Sequence, residues 1–207
     1  MSACRALRRP VPRRRTTLPA VFAAVAAMAL TACGSGDNPK SGGQTQFVQG
    51  AGGVSVVKDA STRQDAPDLD GKTLDGKALD VGKEYKGKIV VLNVWGSWCS
   101  PCRAEAKNLV TVAKDYKSKG VEFVGLNTRD TDPAPAIKFE KEFEVPYPSF
   151  YDSAGELLLR FPKGSLNPQF IPSTVFIDRD GKIAARAVKA LSEDELRKTL
   201  DPLVAEK

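Results

Sequence analysis

The chain has 207 residues, 42% of them hydrophobic and 27% charged, a composition ordinary for a soluble globular protein with one domain. Its formal charge of +6 does not point to nucleic acid, because six arginines and no acidic residue fall within residues 1–33. The remaining 25 basic residues face 25 acidic ones, so the rest of the chain is formally neutral.

The front of the chain reads as an export signal. Arg5, Arg8, Arg9, Arg13, Arg14 and Arg15 make a positive segment, and Leu18 to Leu30 is a short apolar run, too short for an ordinary membrane-spanning helix. The run ends in Leu30-Thr31-Ala32-Cys33, which resembles the lipobox of bacterial lipoproteins. Cleavage before Cys33 would leave that cysteine as a lipidated N-terminus. The plainer alternative is an ordinary secreted protein in which Cys33 is incidental. Arg13-Arg14-Arg15 is followed by residues that fit a twin-arginine signal poorly, and the export route stays open. Residues 1–33 are thus expected to be a lipoprotein signal peptide and 34–63 a flexible tether. The tether begins with Gly34 to Gly53, seven glycines in twenty residues, which cannot bury enough apolar surface to order itself. Residues 64–207 are expected to form the folded domain. With Cys4 and Cys33 assigned to the leader and the lipid, Cys99 and Cys102 remain as one close pair of thiols.

Val54 to Val57 is a weak strand signal, and Ala66 to Asp80 reads as an edge strand and hairpin with turns at Asp70-Gly71 and Asp75-Gly76. Ile89 to Val94 is an apolar run rich in β-branched residues, the pattern of a strand buried on both faces. Gly96 and Ser97 break it, Trp98-Cys99-Ser100-Pro101-Cys102 follows, and a helical pattern then runs to about Ser118 before Gly120. A Cys-x-x-Cys at a strand-to-helix junction reads as a redox motif. Cys99 at the helix's first turn gains from the unpaired N–H groups and the dipole, which favour a thiolate. Cys102, one turn further on, is placed to resolve a mixed disulfide formed at Cys99. Pro101 suits an early helical position, where its missing N–H is not needed.

At about 100° per residue, Cys102, Glu105, Leu109, Val112 and Tyr116 share one stripe, so Glu105 is expected on the buried face. Burial raises a carboxyl pKa and would let Glu105 exchange a proton with Cys102. The pattern alone equally allows a glutamate that merely favours the helix dipole with its head in water. Trp98 is expected to shield the thiol and contact substrate, Trp95 to lie in the core, and Ser100 with Pro101 to tune the redox potential.

Beyond the helix, Val121 to Asn127 is a strand parallel to the first, and Asp132-Pro133 caps a sparsely apolar helix expected at the surface. Ser149 to Asp152 is a short strand, and Ser153 to Glu156 carries a capping-box signature before Leu157 to Phe161. Thr174 to Asp178 and Lys182 to Val188 form a hairpin across Asp178 to Gly181, and Ser192 to Glu195 is a second capping box opening the last helix.

The string VVLNVWGSWCSPCRAE resembles the TlpA/ResA family of extracytoplasmic thiol–disulfide oxidoreductases, within the thioredoxin superfamily, and the similarity runs from about Ala66 to the end. Where thioredoxin has a buried Asp six residues before its first Cys, this chain has Asn93, as the TlpA/ResA family does. The resemblance implies an α/β, thioredoxin-like fold with an N-terminal β-hairpin and, over residues 131–152, a central helix–strand insertion. It implies a functional glutamate at Glu105. It also implies a cis-proline at Pro172, after Ile171, shaping the groove where a substrate segment lies against Cys99, although an isolated X-Pro bond is trans by default.

The function expected is a membrane-tethered thiol–disulfide reductase of the cell envelope, resembling proteins that keep apocytochrome c thiols reduced, on the outer face of the bacterial cytoplasmic membrane. Its partners would be protein disulfides and a membrane thiol that supplies electrons; it is expected to be a monomer, to need no cofactor or metal, and to bind no nucleic acid. The same residues also suit an oxidase of exported proteins, because direction depends on potential and partner. A zinc site would need ligands that a chain without histidine or a second cysteine pair does not offer. A copper carrier would need Cys-x-x-x-Cys with a distant His, and a thiol peroxidase a lone cysteine in a Pro/Thr-rich setting.

Overall fold

The computed structural model describes residues 47–50 and 53–206; the leader, Cys33 and the tether up to residue 46 lie outside them. In chain order come β1 (Val48–Gln49), β2 (Val54–Val56), β3 (Asp70–Lys72), β4 (Ala78–Asp80), α1 (Val81–Glu84) and β5 (Ile89–Trp95). Then follow α2 (Ser100–Tyr116), β6 (Val121–Thr128), α3 (Pro133–Phe143), β7 (Ser149–Asp152), α4 (Glu156–Leu159), β8 (Ser173–Ile177), β9 (Ile183–Ala187) and α5 (Glu193–Ala205). Seven strands make one sheet in the order β1-β2-β9-β8-β5-β6-β7, and β3 with β4 makes a separate hairpin.

β5 is the axis of the sheet. It pairs in parallel with β6 and antiparallel with β8, and all seven of its residues are buried. Two covered faces explain why its sequence is an unbroken apolar run rather than an alternation. Ile89 and Val91 face a core with Leu109, Val112 and Tyr116 of α2 and Leu196 and Leu200 of α5. Val90, Leu92 and Val94 point the other way, toward Leu69, Phe150 and Leu157. β7 extends the sheet in parallel beside β6, so α3 and β7 form the expected insertion. The whole is the thioredoxin-like α/β arrangement.

Several local details differ from the sequence reading. Asp70-Gly71 is not a turn but part of β3, and the hairpin reverses only at Thr73–Lys77, where the Thr73 amide donates to the Lys77 carbonyl at 2.9 Å. The capping box expected at Ser153 is absent; the Asp152 carboxylate takes the amides of Glu156 and Leu157, at 2.7 and 3.0 Å, from the end of β7. α3 is not merely superficial, since Ala136 and Phe139 are buried and Phe139 stacks on Trp95 with ring centroids 4.3 Å apart. By contrast the Ser192–Glu195 capping box and the Asp132 cap form as read.

The ordered domain also starts earlier than residue 64. β2 pairs with β9, and the buried Arg63 donates to Asp178 at 2.9 Å and, through both guanidinium nitrogens, to Glu206 at 2.7 Å. A segment with little apolar surface is held by strand pairing and a buried charge, neither of which composition reveals. Replacing Arg63 with Ala leaves the Asp178 carboxylate buried without its cation and should cost about 3 kcal/mol of stability. Urea denaturation checks this, and a loss below about 0.5 kcal/mol would make the ion pair peripheral.

Candidate active site

The chain leaves β5 at Trp95, turns through Gly96–Trp98, and enters α2 with Cys99 as its N-cap. The Cys99 amide donates to the Gly96 carbonyl at 3.1 Å, closing the turn. Cys99 is disulfide-bonded to Cys102, and its sulfur accepts the Cys102 amide at 3.2 Å. That sulfur therefore stands where the unsatisfied N–H groups and dipole of a 17-residue helix favour negative charge. Ser100 and Pro101 occupy the first two helical positions and are exposed, whereas both cysteines are buried. Trp98 is 55% exposed and packs its indole back against Gly96, which has no room for a side chain there.

Glu105 is 1% exposed. Two periodicities bring it to a partner: the helical stripe turns it inward, and strand alternation puts Asn93 on the same face of β5 as Ile89 and Val91, toward α2. The Asn93 amide donates to one carboxylate oxygen at 2.9 Å and the Leu191 backbone N–H to the other at 2.8 Å. Asn93 also donates to the Thr174 hydroxyl at 3.2 Å. These donors are neutral, and burial outweighs them, so the carboxyl is raised from its ordinary 4.5 to about 7. Tyr147 and Glu140 face the same region; burial, then the charge of Glu105, then that of Glu140 push the Tyr147 phenol upward.

Opposite the redox turn, the Ile171–Pro172 bond is cis. Ile171 packs against the cluster that contains Cys99 and Cys102, and Phe170 before it is 56% exposed. The grooves of about 440 and 270 Å³ are lined by other parts of the chain, one by Ala66, Tyr85 and Asp178 and one by Val54, Ala184 and Leu203. A small cavity of about 10 Å³ lies beside Cys102, lined by Asn93, Trp95, Phe139 and Tyr147.

Sequence reasoning missed the buried Asp130, just past β6. Its carboxylate accepts the Ser97 amide at 2.8 Å, the Ser97 hydroxyl at 2.6 Å and the Asn127 side-chain amide at 2.7 Å. The one available signal was an acid two residues past a parallel strand beside β5.

Fold and site define a thiol–disulfide oxidoreductase of the thioredoxin-like class. The Redoxin family model matches residues 60–201. ResA, a thiol-disulfide oxidoreductase of Bacillus cereus, is 30% identical over 158 residues, covering 76% of this chain and 87% of that protein. The thiol:disulfide interchange protein HelX of Rhodobacter capsulatus is 36% identical over 120 residues, 58% of this chain and 62% of that one. Among solved structures, a DsbF homologue from Corynebacterium diphtheriae matches at 30% identity with a TM-score of 0.68, over 78% of this chain and 100% of that one. A secreted thiol-disulfide isomerase from Corynebacterium glutamicum matches at 28% with a TM-score of 0.70, over 80% and 100%. The chain belongs to the Redoxin family and is a ResA-like thiol–disulfide oxidoreductase.

The raised carboxyl carries a stability signature. Below about pH 4.5 Glu105 is protonated in both folded and unfolded chains; as pH rises toward about 7 the unfolded chain ionises first, and stability falls. The loss amounts to about 3 kcal/mol and is complete above the folded pKa. Glu105→Gln should abolish this slope, and urea denaturation of both proteins across that range reads it; parallel curves would mean that the charge is not buried.

Proposed function

We propose that this protein is an envelope disulfide reductase, tethered through lipid on Cys33, that works in cytochrome c maturation. The observation that carries the reading is the pairing of an N-cap sulfur at Cys99 with a buried, proton-holding Glu105 three residues beyond Cys102. The Cys99 thiolate attacks a substrate disulfide, forming a mixed disulfide and releasing one substrate thiolate. Glu105 takes the proton from Cys102, whose thiolate attacks the Cys99 sulfur and releases the second substrate thiolate. Two electrons pass to the substrate, the Cys99–Cys102 disulfide is left behind, and a membrane dithiol partner reduces it again.

Support comes from the likeness to ResA and HelX and from the resemblance of VVLNVWGSWCSPCRAE to the TlpA/ResA pattern. Ile171, cis-Pro172 and Trp98 are the substrate-facing residues in this reading, and Ser100 and Pro101 set the potential. The protein disulfide is apocytochrome c, and the protein acts as a monomer on the outer face of the cytoplasmic membrane. Among the described residues no helix is long and apolar enough to cross a membrane. The anchor in this reading is Cys33, outside those residues.

Equilibration of the Cys99–Cys102 couple against glutathione tests the direction. A potential near thioredoxin's, about −270 mV, is expected of a reductase, whereas one near DsbA's, about −120 mV, would reverse it to an oxidase. Cys102→Ser should trap substrates on Cys99 as stable mixed disulfides, identified by mass spectrometry of non-reduced adducts. An adduct on Cys102 in the Cys99→Ser variant alone would exchange the two roles.

A further inference from the structure

Asp130 ends a short segment, Asn127–Asp130, made of the last two residues of β6 and the bend that follows, whose contacts reach both the redox loop and the chain before Ile171. The register of the central sheet explains why. Trp95 of β5 lies opposite Asn127 of β6, so the segments leaving the two strands, Gly96–Trp98 and Thr128–Asp130, emerge side by side. They approach so closely that a Cβ on Gly96 would stand 3.3 Å from the Thr128 carbonyl oxygen.

On one side the segment holds the redox loop. Ser97 donates its amide to Asp130 Oδ2 and its hydroxyl to Asp130 Oδ1. Asp130 is itself held, by the Asn127 side chain and by the Tyr151 hydroxyl, which donates to the Asp130 carbonyl at 3.0 Å. Asn127 is fully buried and its side-chain nitrogen donates to Asp130 Oδ2, while its side-chain Oδ1 has no partner among the described residues. On the other side, the Arg129 guanidinium donates to the carbonyl of Pro168, three residues before Ile171. Arg129 takes a backbone φ of +61°, an uncommon conformation for a side-chain-bearing residue, and its amide is tied to the Ser153 carbonyl at 3.3 Å.

We infer that the Asn127–Asp130 segment is a clamp that sets the spacing of the substrate groove, Asp130 holding the loop before Cys99 and Arg129 holding the chain before cis-Pro172. Both are positioning residues, since they act through Ser97 and Pro168. The inference rests on the reading of Ile171 and Pro172 as a substrate-facing wall. A polypeptide lying between the two walls feels their separation along its length, so loosening the clamp weakens binding more than it slows sulfur exchange.

Arg129→Gly removes the tether to Pro168 while suiting the positive φ, so the fold is kept. Ser97→Ala removes one bond to Asp130 and leaves the amide bond in place. With insulin as the disulfide and dithiothreitol as the reductant that restores the dithiol, its uncatalysed rate subtracted, each variant should raise KM by about threefold or more and change kcat by less than about twofold. The double variant should match the worse single one rather than multiply the effects, because both act on one clamp. In Arg129→Gly the Ser97 amide should exchange with deuterium about tenfold faster, which a contact confined to the Pro168 side would not produce. An unchanged KM in both variants overturns the groove assignment, and unchanged Ser97 exchange overturns the link between the walls. Failure of the wild type to reduce insulin would instead count against the reductase reading, and the exchange measurement would still decide whether the walls are linked.

Discussion

The burial of the Glu105 carboxyl between Asn93 and the Leu191 amide is the constraint around which the site is assembled. One side chain joins the central strand, the active-site helix and the segment leading into α5, so the three elements meet in one relative position. The join uses neutral donors, and the carboxyl has to leave water to make it. Its proton affinity therefore rises. A cation in place of Asn93 would strengthen the join and drive the proton off.

The two cysteines are chemically unequal because of where the helix begins. Cys99 is the N-cap and its sulfur already accepts an amide of the first turn, while Cys102 lies inside α2, on the stripe that carries Glu105. Negative charge is favoured at the first sulfur, at the helix N-terminus, and less at the second, inside the helix. The asymmetry follows from backbone hydrogen bonding and helical period.

The rest of the fold delivers other segments to the same edge. β6 runs parallel to β5, so Asp130 emerges beside the redox turn, and β8 runs antiparallel to β5, so Ser173 and the cis bond before it start opposite Val94. The separate β3–β4 hairpin and β7 cover the far side through Leu69 and Phe150. The site is thus assembled from chain segments that the sheet brings together.

Much of this was legible in particular residues. The run Ile89–Val94 declared a strand covered on both faces, the Trp98–Cys102 string declared the chemistry, and the stripe through Cys102, Glu105 and Leu109 put Glu105 on the inward face while leaving open a carboxyl with its head in water. These are local patterns, in which a period of two or 3.6 residues and a helix start decide the outcome. Local pattern failed where the partner is distant in sequence. Asp152, not Ser153, caps α4; Arg63 is held by Asp178 and Glu206; and Asp70-Gly71 pairs as a strand because Leu79 and Asp80 lie across from it. The redox pair and the inward-facing stripe of α2 were readable because each depends on residues within a few turns of one helix, and the fold class followed from the resemblance carried by VVLNVWGSWCSPCRAE. Tertiary contacts alone settle that Asn93 and Leu191 hold the Glu105 carboxyl, that Asp130 accepts from Ser97 and that Arg129 donates to Pro168. Those contacts depend on strand order and register, which bring together residues separated by 12, 86, 33 and 39 positions in the chain.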